Sequence, residues 1–251
     1  MQIGLTVGDS IDRISHLGPE FDFVELGIGE GAVTEGEYEP SSIMSEVAAV
    51  DAELCVHLPF SQDLVTPVPE INEGIVQFLD RLLEWAGKAG AKRAVIHGTA
   101  RDPHDLELRP RFAGQLSRIN NVAGDHGVEL VVENVGHQRK GLQLTVLGDI
   151  AKETGTAICF DVGHAYMEDR MDGVKRFLKR YATQIAHLHV HDVRSRGDTH
   201  LPVGAGEIDY SVVAQHLDGF DGTVAIEVFT DDEPLLQDSK NRIERILARS
   251  P

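Results

Sequence analysis

The sequence predicts a single α/β domain over residues 1–251, a (β/α)8 barrel of parallel strands. Three observations carry that reading. Short β-rich runs alternate with longer helical patterns, the order of βα units around a parallel sheet. Eight runs qualify as strands, and 251 residues match the size of one such barrel, about 250. Five of the runs end on a residue type that binds metals. In a parallel barrel the carboxyl ends of the strands converge on one mouth, where active sites sit.

The strands are expected near 2–7, 21–28, 53–58, 93–98, 128–134, 157–162, 185–192 and 223–229. Between the third and fourth, Ile75, Phe78, Leu79, Leu82, Leu83 and Ala86 recur at helical spacing. Trp85 lies on that helix and is expected to pack against the barrel. Further helices are expected near 42–50, 110–126, 143–154, 172–182, 210–217 and 236–248, with a short segment at Ser10–Leu17. Nothing marks a domain boundary, and no internal sequence repeat is visible. Gly204 and Gly206, in VGAGEID, are expected to make a tight turn before the helix carrying Val212 and Val213.

The strand-end residues are His57 in AELCVH, His97 in RAVIH, Glu133 in ELVVE, Asp161 in AICFD and Glu227 in TVAIE. A sixth run, IAHLHVHD, carries His187, His189 and His191 on one face, with Leu188 and Val190 on the other. Strand side chains alternate faces, so the residue two before each strand-end ligand should also point into the barrel. Those residues are Cys55, Val95, Val131, Cys159 and Ala225, all small or branched, as a filled barrel interior requires. A lone His or Glu at a strand end is more often a hydrogen-bonded structural group than a ligand. Five on different strands reverse those odds. His187 is expected to be a deeper, hydrogen-bonded barrel residue. His191 and Asp192 are expected at the rim, orienting ligands by hydrogen bonds.

Composition narrows the partners. The net charge of -18 repels nucleic acid and anionic membrane. Arginine (16) outnumbers lysine (7), and an acidic, lysine-poor surface also fits adaptation to salt. The two cysteines, Cys55 and Cys159, sit inside apolar strands and are expected as buried, reduced thiols. No stretch approaches the about 18 apolar residues of a membrane span. Met1–Val7 enters a strand without a basic or long apolar leader, so a cytoplasmic location is expected. Basic residues are sparse. Arg139 and Lys140 follow strand five, and Arg194 and Arg196 follow strand seven, where they are expected to hold a phosphate or carboxylate of the substrate.

Taken in order, HLPF at His57, IHGT at His97, ENV at Glu133, FDVGHA at Asp161 and His164, HLHVHD at His187–Asp192, DTHLPVGAGEID at Asp198–Asp209 and IEVF at Glu227 resemble the xylose-isomerase-like barrel superfamily. That group includes sugar-phosphate isomerases and epimerases, hydroxypyruvate isomerase, inosose-type dehydratases and the endonuclease IV family. The isomerase-like members imply one divalent metal on Glu133, Asp161, His189 and Glu227. Three carboxylates and an imidazole suit Mn, Co, Mg or Zn. Glu133 and Glu227 would move the proton as base and acid, and His164 and Glu25 would hold substrate oxygens.

The endonuclease-like members imply up to three zinc ions. His57, His97 and Glu133 would hold one, Glu133, Asp161, His189 and Glu227 a second, and His164, Asp198 and His200 a third. Against that branch, Gly163 stands where the family has cysteine, and Phe60 where it favours tyrosine. The loops after strands two, five, six and seven also read as short for entering a DNA groove. The expectation is therefore an isomerase or epimerase with one to three Zn, Mn or Co ions. Its substrate would be a small sugar, sugar phosphate or hydroxy-keto acid. A zinc phosphodiesterase of abasic-site DNA is the alternative, with a non-catalytic binding barrel or a lyase behind it. Nucleic acid is the less favoured partner, and the oligomeric state stays open.

Overall fold

All eight expected strands form, and they pair only in parallel. A computed structural model describes residues 1–33, 36, 38–194 and 197–248. The barrel strands are β1 (Gln2–Gly8), β2 (Phe23–Gly27), β3 (Glu53–His57), β4 (Arg93–His97), β5 (Glu129–Glu133), β6 (Ala157–Asp161), β7 (Ile185–Val190) and, after the hairpin strands β8 (Asp192–Arg194) and β9 (Gly197–Leu201), β10 (Thr223–Ile226). They close in the order β1-β10-β7-β6-β5-β4-β3-β2. Most strand residues are buried on both faces, as in parallel sheets covered by helices.

The helices follow each strand: α1 (Asp12–Leu17), α2 (Pro40–Ala49), α3 (Pro69–Lys88), α4 (Leu108–Asp125), α5 (Leu144–Thr154), α6 (Val162–Tyr181), α7 (Tyr210–His216) and α8 (Glu233–Leu247). Proline opens α2 and α3, where its fixed φ fits the first turn and its missing N–H costs nothing. The apolar stripe of α3 buries Val76, Leu79, Leu82, Leu83 and Ala86. Trp85 is buried beside it, and its indole N–H donates to the carbonyl of Tyr38 at 2.7 Å.

The interior and the sheath are separate cores. Helices and outward strand residues form one continuous apolar layer. Inside the barrel sit two small clusters, Phe23 with Cys55 and Ala225, and Val95 with Val131 and Cys159. All five residues chosen from strand alternation fall in these clusters. Both cysteines are buried and free, and burial raises both thiols above their usual range.

Two segments differ from expectation. Helix α6 starts ten residues before the expected 172, directly off β6, because Asp161 caps it by accepting from the His164 N–H at 2.5 Å. Its backbone breaks at Asp169 and Arg170, so the apolar pattern visible in sequence is only its second half. The segment after β7 is not a plain loop. It folds as the antiparallel hairpin β8–β9. Among the described residues, no helix is long and apolar enough to cross a membrane.

Candidate metal centre

The strand ends bring their donor side chains to one place. Asp161, His189 and Glu227 each offer an atom within 4.8 Å of the others. His189 Nδ1 lies 3.2 Å from Glu227 Oε2, 3.6 Å from Glu133 Oε1 and 3.9 Å from Asp161 Oδ2. Both His189 Nδ1 and Glu227 Oε2 are buried without a hydrogen-bond partner. Unsatisfied buried polar atoms are costly, and a cation among these four side chains would satisfy both. The residues therefore fit a divalent metal. Asn134 braces the site by a reciprocal pair, donating to the Asp161 carbonyl and accepting its N–H, each at 2.9 Å.

Two further donor groups flank this one. His57 Nε2 and His97 Nε2 approach Glu133 Oε2 at 3.1 and 3.2 Å. On the other side His164, His191, Asp198 and His200 converge, with Asp198 Oδ1 3.1 Å from His200 Nε2 and Oδ2 3.4 Å from His164 Nε2. Hairpin β8–β9 brings Asp198 and His200 back over the mouth. His200 holds φ 42°, a left-handed backbone rare outside glycine. Its ring stacks on Phe229 at 3.9 Å, and such local strain concentrates at functional sites.

Outer hydrogen bonds orient the rings. His57 donates from Nδ1 to the backbone carbonyl of Leu58 (3.0 Å), His164 from Nδ1 to that of Asn134 (3.0 Å) and His200 from Nδ1 to that of Glu227 (2.9 Å). His57 and His200 thus turn Nε2 toward the donor cluster, whereas His164 Nδ1 also lies 3.0 Å from Glu133 Oε1. Fixing the outer nitrogen selects the tautomer, a usual arrangement behind metal-binding imidazoles.

Charge follows the same geometry. Burial alone would raise the Glu133 carboxyl, but the charges of His97 and His189 hold it well below its usual range. Asp161 is lowered in the same way by His164 and His191. Burial opposes a proton on His164, yet Asp161, Asp198 and Glu133 raise it well above the usual imidazole range. His189 is raised against burial by Cys159, Glu25, Glu227 and Glu133. His57 and His200 are raised against burial, chiefly by Glu133 and by Asp198. The cluster thus balances its carboxylates with protons that a cation can replace.

Above the donors lies a cavity of about 510 Å³, within the range of small-molecule sites. Its lining includes His57, His97, Glu133, His164, Asp198, His200 and Glu227, with Phe60, Phe229, Asp9 and Glu30 among the other lining residues. Among the described residues, no lysine or arginine lines it. Lys140 pairs with buried Asp63 at 2.9 Å, Arg139 is exposed outside the lining, and Arg194 donates to the Ala205 carbonyl at 2.8 Å. None of these three, expected to hold a substrate anion, lines the cavity; Arg196 lies outside the described residues. Glu25 does not reach the cavity either, being fully buried beneath His189. Asp192, expected to orient ligands, instead accepts from the N–H groups of Val193, Gly204 and Ile208 and holds the VGAGEID turn.

Sequence reading missed His137. It follows β5 on the loop that carries Arg139 and Lys140, and its ring lies 4.3 Å from that of His164, with Nε2 3.8 Å from Asp198 Oδ2. Burial and the His164 charge lower it to about 4. Its place beside the residues singled out after strand five was the available signal.

Comparison with known proteins agrees with this architecture. An uncharacterised protein of Methanocaldococcus jannaschii, MJ1311, is 28% identical over 192 residues, which cover 70% of this chain and 64% of that protein. The crystal structure of a D-tagatose 3-epimerase-like protein superposes with a TM-score of 0.81 at 24% identity, covering 99% of this chain and 97% of the other. A zinc-soaked protein from Thermus thermophilus, TTHB071, gives 0.79 at 24% identity, covering 100% of both. The family described as xylose isomerase-like TIM barrel matches residues 11–248. The chain belongs to that family.

Proposed function

We propose that this protein is a divalent-metal-dependent isomerase or epimerase of a small, unphosphorylated sugar. One observation carries the reading: Glu133 and Glu227 flank His189 at the base of a cavity sized for one small molecule. A ketose carbon held between them would lose its proton to one carboxylate and regain it from the other. A bound divalent ion would supply the positive charge that an enediolate-type proton transfer needs. His164 and His200 would position substrate oxygens, and Asp9 and Glu30 at the rim would accept from hydroxyls. Among the described residues, a phosphate would meet carboxylates there instead of the guanidinium or ammonium groups that usually bind it. A likeness in fold to a D-tagatose 3-epimerase-like protein is in keeping with this reading.

The test is proton exchange. Protein loaded with Mn, Co or Zn in D2O is expected to exchange a substrate C–H proton with solvent on a panel of free ketoses. Absence of metal-dependent exchange across ketoses and hydroxypyruvate would sink the reading.

A second reading has its own support. All three donor groups of a three-zinc phosphodiesterase converge here, at His57–His97–Glu133, Asp161–His189–Glu227 and His164–Asp198–His200. Cleavage of abasic-site DNA by zinc-loaded protein, assayed at low and high salt because salt weakens DNA affinity, would favour it.

A further inference from the structure

Barrel interiors are filled mainly by bulky apolar side chains. Here Glu25 and His187, both fully buried, occupy the space beneath the donor cluster. They belong to a hydrogen-bonded chain that runs up the barrel. Arg93, paired with Glu129, donates to Thr223 Oγ1. Thr223 Oγ1 lies 2.6 Å from His187 Nδ1, and His187 Nε2 lies 3.0 Å from Glu25 Oε2. Glu25 Oε1 lies 3.0 Å from His189 Nε2 and accepts from Thr6 Oγ1 at 3.2 Å.

The direction of this chain follows from its ends. A guanidinium only donates. Thr223 therefore accepts from Arg93 and turns its own proton to His187 Nδ1, since the other acceptor, the Ala186 carbonyl, is at 3.5 Å. His187 then carries its proton on Nε2 and donates to Glu25. An ionised carboxylate only accepts, so His189 must also carry a proton on Nε2. Its Nδ1 is the nitrogen left to face Glu227, Glu133 and Asp161.

We propose that Glu25 is the positioning residue of the metal centre: by accepting the Nε2 proton of His189 it makes Nδ1 the donor atom to the metal. The inference rests on the reading of His189 as a metal ligand. A buried polar group kept for stability alone is often replaceable by apolar side chains at little cost, and Glu25 with the neutral His187 could be such a pair. The contact with His189 gives this one a use that an apolar pair would not have.

The experiment uses the full chain with 15N-labelled histidine and 113Cd as probe. Wild type is expected to show 113Cd–15N coupling at His189 Nδ1 and a retained proton on Nε2. Glu25→Gln keeps the shape but loses the charge and one acceptor, and is expected to weaken zinc affinity by about 10- to 100-fold. Thr6→Val removes one hydrogen bond to Glu25 and is expected to weaken zinc binding by a smaller factor. Coupling at His189 Nε2 overturns the proposal. So does a Glu25→Gln protein that melts lower without metal yet binds zinc as tightly as wild type. Should Glu25→Gln fail to fold, the wild-type coupling and Thr6→Val decide. A wild type with no metal at His189 refutes the metal reading itself, a result distinct from metal binding that ignores Glu25.

Discussion

A Cβ atom on Gly163 would lie 2.2 Å from Cε1 of His191. The bare backbone at 163 lets that imidazole rest against the first turn of α6 and reach Asp161, 3.2 Å from its Nε2. The DVGHA form thus comes paired with a ring that fills the space a larger residue would need.

Gly163→Ala is expected to overpack this contact and cost about 1–3 kcal/mol. Urea denaturation of the metal-free protein measures it, and a crystal structure should show His191 displaced from Asp161. Unchanged stability with His191 in place would refute the account.

Asp198 arrives on a hairpin rather than on a barrel strand. For an isomerase working on the Glu133–Asp161–His189–Glu227 group, Asp198→Asn should keep the wild-type metal content while KM rises, the mark of lost substrate binding. Element analysis with steady-state kinetics checks this. Loss of about one zinc per chain would favour the three-metal phosphodiesterase instead.

Metal binding should release protons at pH 7. His189 is raised well above its usual range in the metal-free chain, so the Nδ1 that would face the metal holds a proton that coordination must displace. Affinity is expected to fall as pH drops, by about tenfold per pH unit for each proton released. Calorimetry in two buffers of different ionisation enthalpy reads the proton count, and a count of zero would contradict the assignment.

His187 has the opposite sign. Burial outweighs its hydrogen bond to Glu25 and lowers it to about 4. The unfolded chain, with an imidazole near 6.5, therefore binds the extra proton first as pH falls. The contribution is present above about pH 6.5 and is lost toward pH 4, by about 2 kcal/mol between pH 6.5 and 5. The raised histidines change stability the other way, and above about pH 6.5 instead of below it. The His187 share is thus read as the difference in pH slope between wild type and His187→Gln, and equal slopes would refute it.

How much was legible in sequence depended on the range of the interaction. The five strand-end donor side chains could be read because β periodicity dictates which way a side chain points. Cys55, Val95, Val131, Cys159 and Ala225 fell on the interior for the same reason. The first half of α6 escaped notice because an Asp161 cap, not an apolar stripe, starts it. Hairpin β8–β9 escaped because its short strands carry few apolar residues and its fold depends on pairing across a turn. Lys140 looked free to bind an anion because its partner, Asp63, lies 77 positions earlier in the chain.

The sequence by itself determined the barrel, the donor side chains at its strand ends and the family, because local periodicity and ordered motifs encode them. Only the tertiary structure decided that Glu25 lies beneath His189 instead of at the mouth, and that described basic residues stay out of the cavity. It alone brought His137 to the rim beside His164 and Asp198. Those outcomes turn on distances between strands and loops far apart in the chain, which closure of the barrel sets and no local pattern records.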